Sequence, residues 1–96
     1  HFARHRQARE TLLADSTVVR ARNPQGSFVL LEQRPDGRLV VTGFFPDRRS
    51  LHRLARQRGY THGGYFYHDA DGRRWPVYYY VLPARPRPSG DLVPAT

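Results

Sequence analysis

The stretch GYFYHDADGRRWPVYYYVL, residues 64–82, decides how this chain folds. At its centre stands Asp71-Gly72, a hairpin signal, because both residue types tolerate the positive φ of a tight turn. With Asp71 and Gly72 as a two-residue loop, the flanking strands separate into two faces. Phe66, His68, Trp75, Val77, Tyr79 and Val81 share one, which reads as core. Tyr65, Tyr67, Asp69, Arg74, Pro76, Tyr78 and Tyr80 share the other, a tyrosine face ending in an Asp69–Arg74 cross-strand pair. Pro76 has no amide donor, so its strand lies at an edge or its ladder ends there.

Working towards the N-terminus, Gly59 reads as a helix stop and Asp47 as an N-cap, which predicts a helix over 48–58. Leu51, Leu54 and Ala55, extended by the stem of Arg58, form a narrow apolar stripe. The opposite face carries Arg48, Arg49, His52, Arg53 and Arg56 with no acid inside the helix. Before it, SFVLLEQR and RLVVTGFF flank Pro35-Asp36-Gly37. A two-residue Asp36-Gly37 loop pairs Gln33 with Val40 and Leu31 with Thr42. It puts Val29, Leu31, Val40 and Phe44 on one face and Phe28, Leu30, Leu39, Val41 and Phe45 on the other. Both faces are apolar, which predicts a central, covered position. Asp-Gly-Arg occurs at 36–38 and again at 71–73, 35 residues on, which reads more readily as two copies of a common turn than as a duplicated ββ unit.

Residues 17–22 (TVVRAR) read as a short strand and residues 3–14 as a helix of good helix formers. Residues 83–96 carry four of the eight prolines and read as a flexible tail or linker. The expected organisation is one α+β domain over 1–82. It is a small antiparallel sheet of two β-hairpins (ββαββ) with the basic helix packed on it and a helix at the N-terminus. Val29, Leu31, Val40, Phe44, Leu51, Leu54, Phe66, Trp75 and Val77 are its expected core.

Sixteen arginines and no lysine stand against eight acids in 96 residues, a net charge of +8. Replacement of lysine by arginine can report a GC-rich genome, but that does not explain the excess of base over acid. The excess points to a polyanionic partner, nucleic acid or an acidic protein. No cysteine is present, so disulfides and thiolate metal sites are excluded. No apolar run approaches a membrane span of about 18 residues. The chain starts at His1 and holds no methionine, which suggests a module of a larger protein. A soluble protein is expected, and a cytoplasmic one if it binds nucleic acid.

Two function classes share the same residues. In the first, Tyr65, Tyr67, Tyr78 and Tyr80 form a platform on which bases stack, while Arg48, Arg49, Arg53, Arg56 and Arg74 hold phosphates. RNA or a single strand is the favoured ligand, since the helix has no helix-turn-helix partner. No cofactor is implied, and the histidines lack metal-site spacing. In the second, RNA is cleaved without metal by a histidine or carboxylate base, a histidine acid and an arginine, with His62, His68, Arg73, Arg74 and Tyr78 meeting at one sheet edge. A small, basic, cysteine-free domain with a helix ahead of an antiparallel sheet resembles, in architecture alone, the barnase-like and colicin-like ribonuclease domains of bacterial toxins. A third class, a protein-interaction module, uses the same arginine and tyrosine surface.

Overall fold

The computed structural model describes residues 2–84. The fold is α+β. Helix α1 (Phe2–Leu13) and a short α2 (Ser16–Arg20) precede strands β1 (Ser27–Gln33) and β2 (Leu39–Phe45). Helix α3 (Arg48–Ala55) leads to β3 (Thr61–His68) and β4 (Arg74–Leu82). The strands form one sheet in the order β2-β1-β4-β3. Each hairpin is antiparallel, but β1 and β4 run parallel side by side, so the sheet is mixed rather than antiparallel as the sequence predicts. A parallel pair needs a long crossover, and the path through β2, α3 and β3 supplies it. Burial explains the join. β1 and the C-terminal half of β4 are the most buried strands, and central parallel strands are covered on both faces.

Both turns depart from the two-residue reading in the same way. In the first, the Arg34 amide donates to the Arg38 carbonyl (2.7 Å) and the Gly37 amide to the Arg34 carbonyl (2.8 Å). In the second, the Asp69 amide donates to the Arg73 carbonyl and the Gly72 amide to the Asp69 carbonyl, both at 3.0 Å. Gly37 and Gly72 take φ of +90° and +79°. Each loop therefore has three residues, ending in a left-handed glycine. Gln33 pairs with Leu39 and His68 with Arg74, one residue off the predicted register. In the first hairpin a bulge between Leu30 and Leu31 absorbs the slip, so Val29 still faces Phe44. The second has no bulge, so the slip carries along the whole of β3, from Tyr67 opposite Trp75 to Thr61 opposite Val81.

Two apolar clusters sandwich the sheet. Under α1 and α2 lie Ala8, Leu12 and Val18 against Val29, Leu31, Val77 and Tyr79. Under α3 lie Leu51 and Ala55 against Phe28, Leu30, Tyr80 and Leu82. Residues 17–22 are not a strand. Asp15 caps α2 by accepting from the Thr17 amide at 2.9 Å, and the turn that follows buries Val18. Helix α3 stops at Ala55 rather than 58. Its cap is as read, with the Ser50 amide donating to Asp47 at 2.8 Å, and Gly59 beyond it has φ of +51°. Leu51 and Ala55 fill the space over the sheet, one turn apart, and this leaves Leu54 51% exposed. Of the expected core, Val29, Leu31, Leu51 and Val77 are buried and Val40 and Trp75 half-buried, while Phe44, Leu54 and Phe66 are exposed. Pro76 sits where the β1–β4 ladder begins, one residue before the Ser27–Val77 pair, so the missing donor breaks no bond to β1. From residue 85 on, the expected tail lies outside the described residues.

Candidate nucleic-acid interface

The register of the second hairpin breaks up the predicted tyrosine platform. Tyr65 pairs with Val77 and packs with Tyr67 against the cluster under α1. Tyr78 and Tyr80 point to the other face, towards α3. A one-residue slip exchanges the two faces of a strand, so the four rings are divided two and two. The same slip separates Phe66 from Trp75 and Asp69 from Arg74. Asp69 instead accepts from the Trp75 indole at 2.8 Å and from the Asp71 and Arg73 amides. The Trp75 bond first, then those amides and Arg22, hold the Asp69 carboxyl below the usual carboxylate range. Trp75 lies between two guanidinium groups, Arg22 at 4.1 Å and Arg73 at 4.9 Å from its ring centroid.

The α3 side assembles a different group. Arg48, Arg49 and His52 from α3, Tyr60 and His62 from the start of β3, and Tyr80 from β4 line one open groove. None of these is a carboxylate. Arg48, Arg49 and His52 share one side of α3 through three- and four-residue spacing. Asp47 holds the helix start beside them, and its hydrogen bonds from Ser50, aided by Arg49 and Arg53, lower its carboxyl from the ordinary value. Tyr80 is buried, and its hydroxyl lies 3.0 Å from His52 Nδ1. The Tyr60 hydroxyl lies 3.2 Å from the same nitrogen. His62 stands opposite Tyr80 on the neighbouring strand and stacks on its ring, with centroids 5.5 Å apart and planes 29° apart. Tyr60 lies against the Tyr80 ring at 4.7 Å.

From this group an aromatic track continues along β3. His62, Gly64, Phe66 and His68 alternate on the α3 side and all are exposed. Gly64 has no side chain to cover Tyr78; a Cβ there would lie 3.3 Å from the Tyr78 ring. Tyr78 stacks on Phe28 at 5.3 Å, and the Arg48 guanidinium stands 5.8 Å from its centroid. Phe66 is 55% exposed with the Arg74 guanidinium 4.6 Å from its ring centroid. Six strand residues make the track about 20 Å long.

Of the residues expected to bind nucleic acid, Arg48, Arg49, Arg74, Tyr78 and Tyr80 come together on this side. Arg53 on α3 and Arg56 just beyond its end are exposed but do not line the groove, and Tyr65 and Tyr67 are on the far face. The expected ribonuclease set does not converge. His62 and His68 stand at opposite ends of the track, about 20 Å apart, and Arg73 stacks on Trp75 beyond the turn. His52 and Tyr60 were assigned no role by sequence reasoning. The helical spacing of His52 from Arg48 and Arg49 is the signal that marks the first, and nothing local marks the second.

On the opposite face, His5, Arg6, Arg9, Tyr65 and Tyr79 line a second basic groove over Gly63 and Gly64. The Tyr79 hydroxyl lies 2.7 Å from His5 Nδ1. Burial pushes Tyr65 up to about 12, with Tyr79 adding to the shift, and burial likewise raises Tyr79. Among the described residues no three metal-ligating side chains cluster, and no helix is long and apolar enough to cross a membrane. No protein family matches the chain, and no curated protein or solved structure does so either.

Proposed function

We propose that the protein is a nucleic-acid-binding module that takes a single strand, RNA above all, along the track between α3 and β3. The observation that carries this reading is the carboxylate-free groove of Arg48, Arg49, His52, Tyr60, His62 and Tyr80, continuous with exposed Phe66 and accessible Tyr78. Arg48, Arg49 and Arg74 neutralise phosphates, and Phe66, Tyr78 and His62 offer π-faces to unstacked bases. Duplex bases are already stacked and cannot use those faces, so the same groove favours single strands. The charge excess of the whole chain brings a polyanion to the surface, and the aromatic track supplies the surface that holds it.

Fluorescence anisotropy of a labelled single-stranded RNA tests the reading. Affinity should fall linearly with log salt. Phe66→Ala should weaken binding by about 1–3 kcal/mol, the worth of one stacked base. A duplex of the same length should compete poorly. Absence of saturable binding at about 150 mM salt, an ionic strength that screens exposed charge within about 8 Å, contradicts the proposal and directs attention to an acidic protein partner.

A further inference from the structure

The groove also holds the parts of an acid–base pair. His52 is held by its Nδ1 between two phenols, Tyr80 at 3.0 Å and Tyr60 at 3.2 Å. Tyr80 is itself fixed by burial at 4% exposure. The Nε2 of His52 has no hydrogen-bond partner among the described residues. A base oriented through one ring nitrogen, with the other left for substrate, is the arrangement nucleophilic and acid–base sites share. His62 lies against the same tyrosine. His52 meets the Tyr80 ring edge-on at 5.8 Å, and His62 stacks on it at 5.5 Å. Neither ring nitrogen of His62 has a hydrogen-bond partner among the described residues. Two imidazoles thus contact one fixed ring in a groove whose other lining charges are Arg48 and Arg49. A packing role accounts for His52, which satisfies the buried Tyr80 hydroxyl. It does not account for exposed His62 stacked on the same ring.

Resting on the single-strand reading above, we propose that this groove cleaves RNA by transphosphorylation without a metal, with His52 and His62 as the acid–base pair. One imidazole takes the proton of a ribose 2′-hydroxyl as its oxygen attacks the adjacent phosphorus. The P–O5′ bond breaks, and the other imidazole, protonated beforehand, gives its proton to the departing O5′. The products are a 2′,3′-cyclic phosphate and a 5′-hydroxyl end. One proton is taken up and one given, no electron leaves the system, and exchange with water resets the pair. Arg48 and Arg49 offset the charge that builds on the non-bridging oxygens. Imidazole is suited to both roles because it gains and loses a proton near neutral pH. The groups that face the pair are Arg48 and Arg49 from α3, Tyr60 before β3, and Tyr80 from β4.

The test is incubation of the full chain, in excess and in EDTA, with a 5′-labelled single-stranded RNA, the products being resolved by length and end group. The expected result is fragments ending in a 2′,3′-cyclic phosphate, with a bell-shaped pH–rate profile. His62→Ala should slow single-turnover cleavage at saturating protein by about 10²–10⁴-fold, a rate that its share in binding does not set. His52→Asn should do the same, since the amide keeps a polar atom for Tyr80 and cannot relay a proton; it replaces His52→Ala, which strands a buried hydroxyl. An all-2′-deoxy strand should bind and remain intact. RNA that is bound yet stays whole overturns the cleavage proposal and leaves the binding reading standing. Cleavage that persists at the parent rate in both histidine variants also overturns it. Loss of binding by the parent chain is the separate failure of the earlier reading.

Discussion

Tyr79 and Tyr80 are neighbours on β4 that leave the sheet on opposite faces, and each meets a histidine of the helix above it. His5 of α1 takes Tyr79 at 2.7 Å and His52 of α3 takes Tyr80 at 3.0 Å. Each pair is flanked by two arginines, Arg6 and Arg9 on one side, Arg48 and Arg49 on the other. The charge is alike, and the difference lies in what surrounds it. On the α1 side the Tyr79 hydroxyl and His5 fill the space over Gly63, where a Cβ would meet them at 2.7 and 3.0 Å, and Tyr65 is desolvated. On the α3 side Gly64 sets no side chain against the half-buried Tyr78 ring, and His62 and Phe66 are exposed. The same residue types therefore act as a packing pin on one face and as an open surface on the other. Basic charge alone does not distinguish a ligand site; accessible aromatic faces beside it do.

The comparison breaks first if the two faces are not both core. Leu12→Ala under α1 and Leu51→Ala under α3 should each cost about 2–5 kcal/mol in urea unfolding. Leu54→Ala, on the same helix as Leu51 but half-exposed, should cost much less. A similar loss at Leu54 and Leu51 would contradict the packing of α3.

The two glycines give a smaller and sharper contrast. Gly63→Ala pushes against the Tyr79 hydroxyl and His5, and should destabilise by about 1–3 kcal/mol with little effect on RNA affinity. Gly64→Ala sets a methyl against the Val77 carbonyl (3.0 Å) and the Tyr78 ring (3.3 Å) and should weaken RNA binding more than Gly63→Ala does, measured by anisotropy on both variants at matched folded fraction. Equal effects on binding would mean that the Tyr78 ring beside Gly64 is not used.

The weakest effect is one of pH. The fold favours the neutral Tyr65 phenol, whose pKa rises to about 12 through burial. Its contribution is complete below about pH 10, the ordinary phenol value. It is lost as pH climbs from there towards about 12, because the unfolded chain ionises first. Urea midpoints between pH 8 and 11 should fall at the alkaline end, and Tyr65→Phe should flatten that fall. An unchanged slope in Tyr65→Phe would show that partial burial on the α1 face does not hold the Tyr65 phenol neutral.

Much of the architecture can be read from local chemistry. Asp36-Gly37 and Asp71-Gly72 place both hairpins, and Asp47 and Gly59 bracket α3. What local chemistry does not reveal is whether the glycine of Asp-Gly closes a two-residue loop or supplies the left-handed third residue of a longer one. Gly37 and Gly72 do the latter, and the single residue of slip moves Tyr65 and Tyr67 away from Tyr78 and Tyr80. A bulge at Leu30/Leu31 hides the same slip in the first hairpin. The parallel join of β1 and β4 is a non-local choice made by burial, and alternation within each hairpin carries no record of it. The site was half legible for the same reason. Arg48, Arg49, Tyr78 and Tyr80 stand out as residue types. That His52, Tyr60 and His62 converge on Tyr80 depends on α3 packing across β4, a contact that links residues 28 positions apart.

The most direct measurement compares two charge-matched double variants, Arg48→Glu/Arg49→Glu on the α3 face and Arg6→Glu/Arg9→Glu on the α1 face. Both change net charge equally, and glutamate in the first turn of α3 suits the positive end of that helix. Single-stranded RNA affinity is measured for each as a function of salt. The α3 variant should bind at least about 30-fold more weakly, with a salt slope shallower by about 2, while the α1 variant stays within about threefold of the parent, a change below 1 kcal/mol. Equal losses in both would show that RNA is held by overall charge, and would contradict a binding site between α3 and β3.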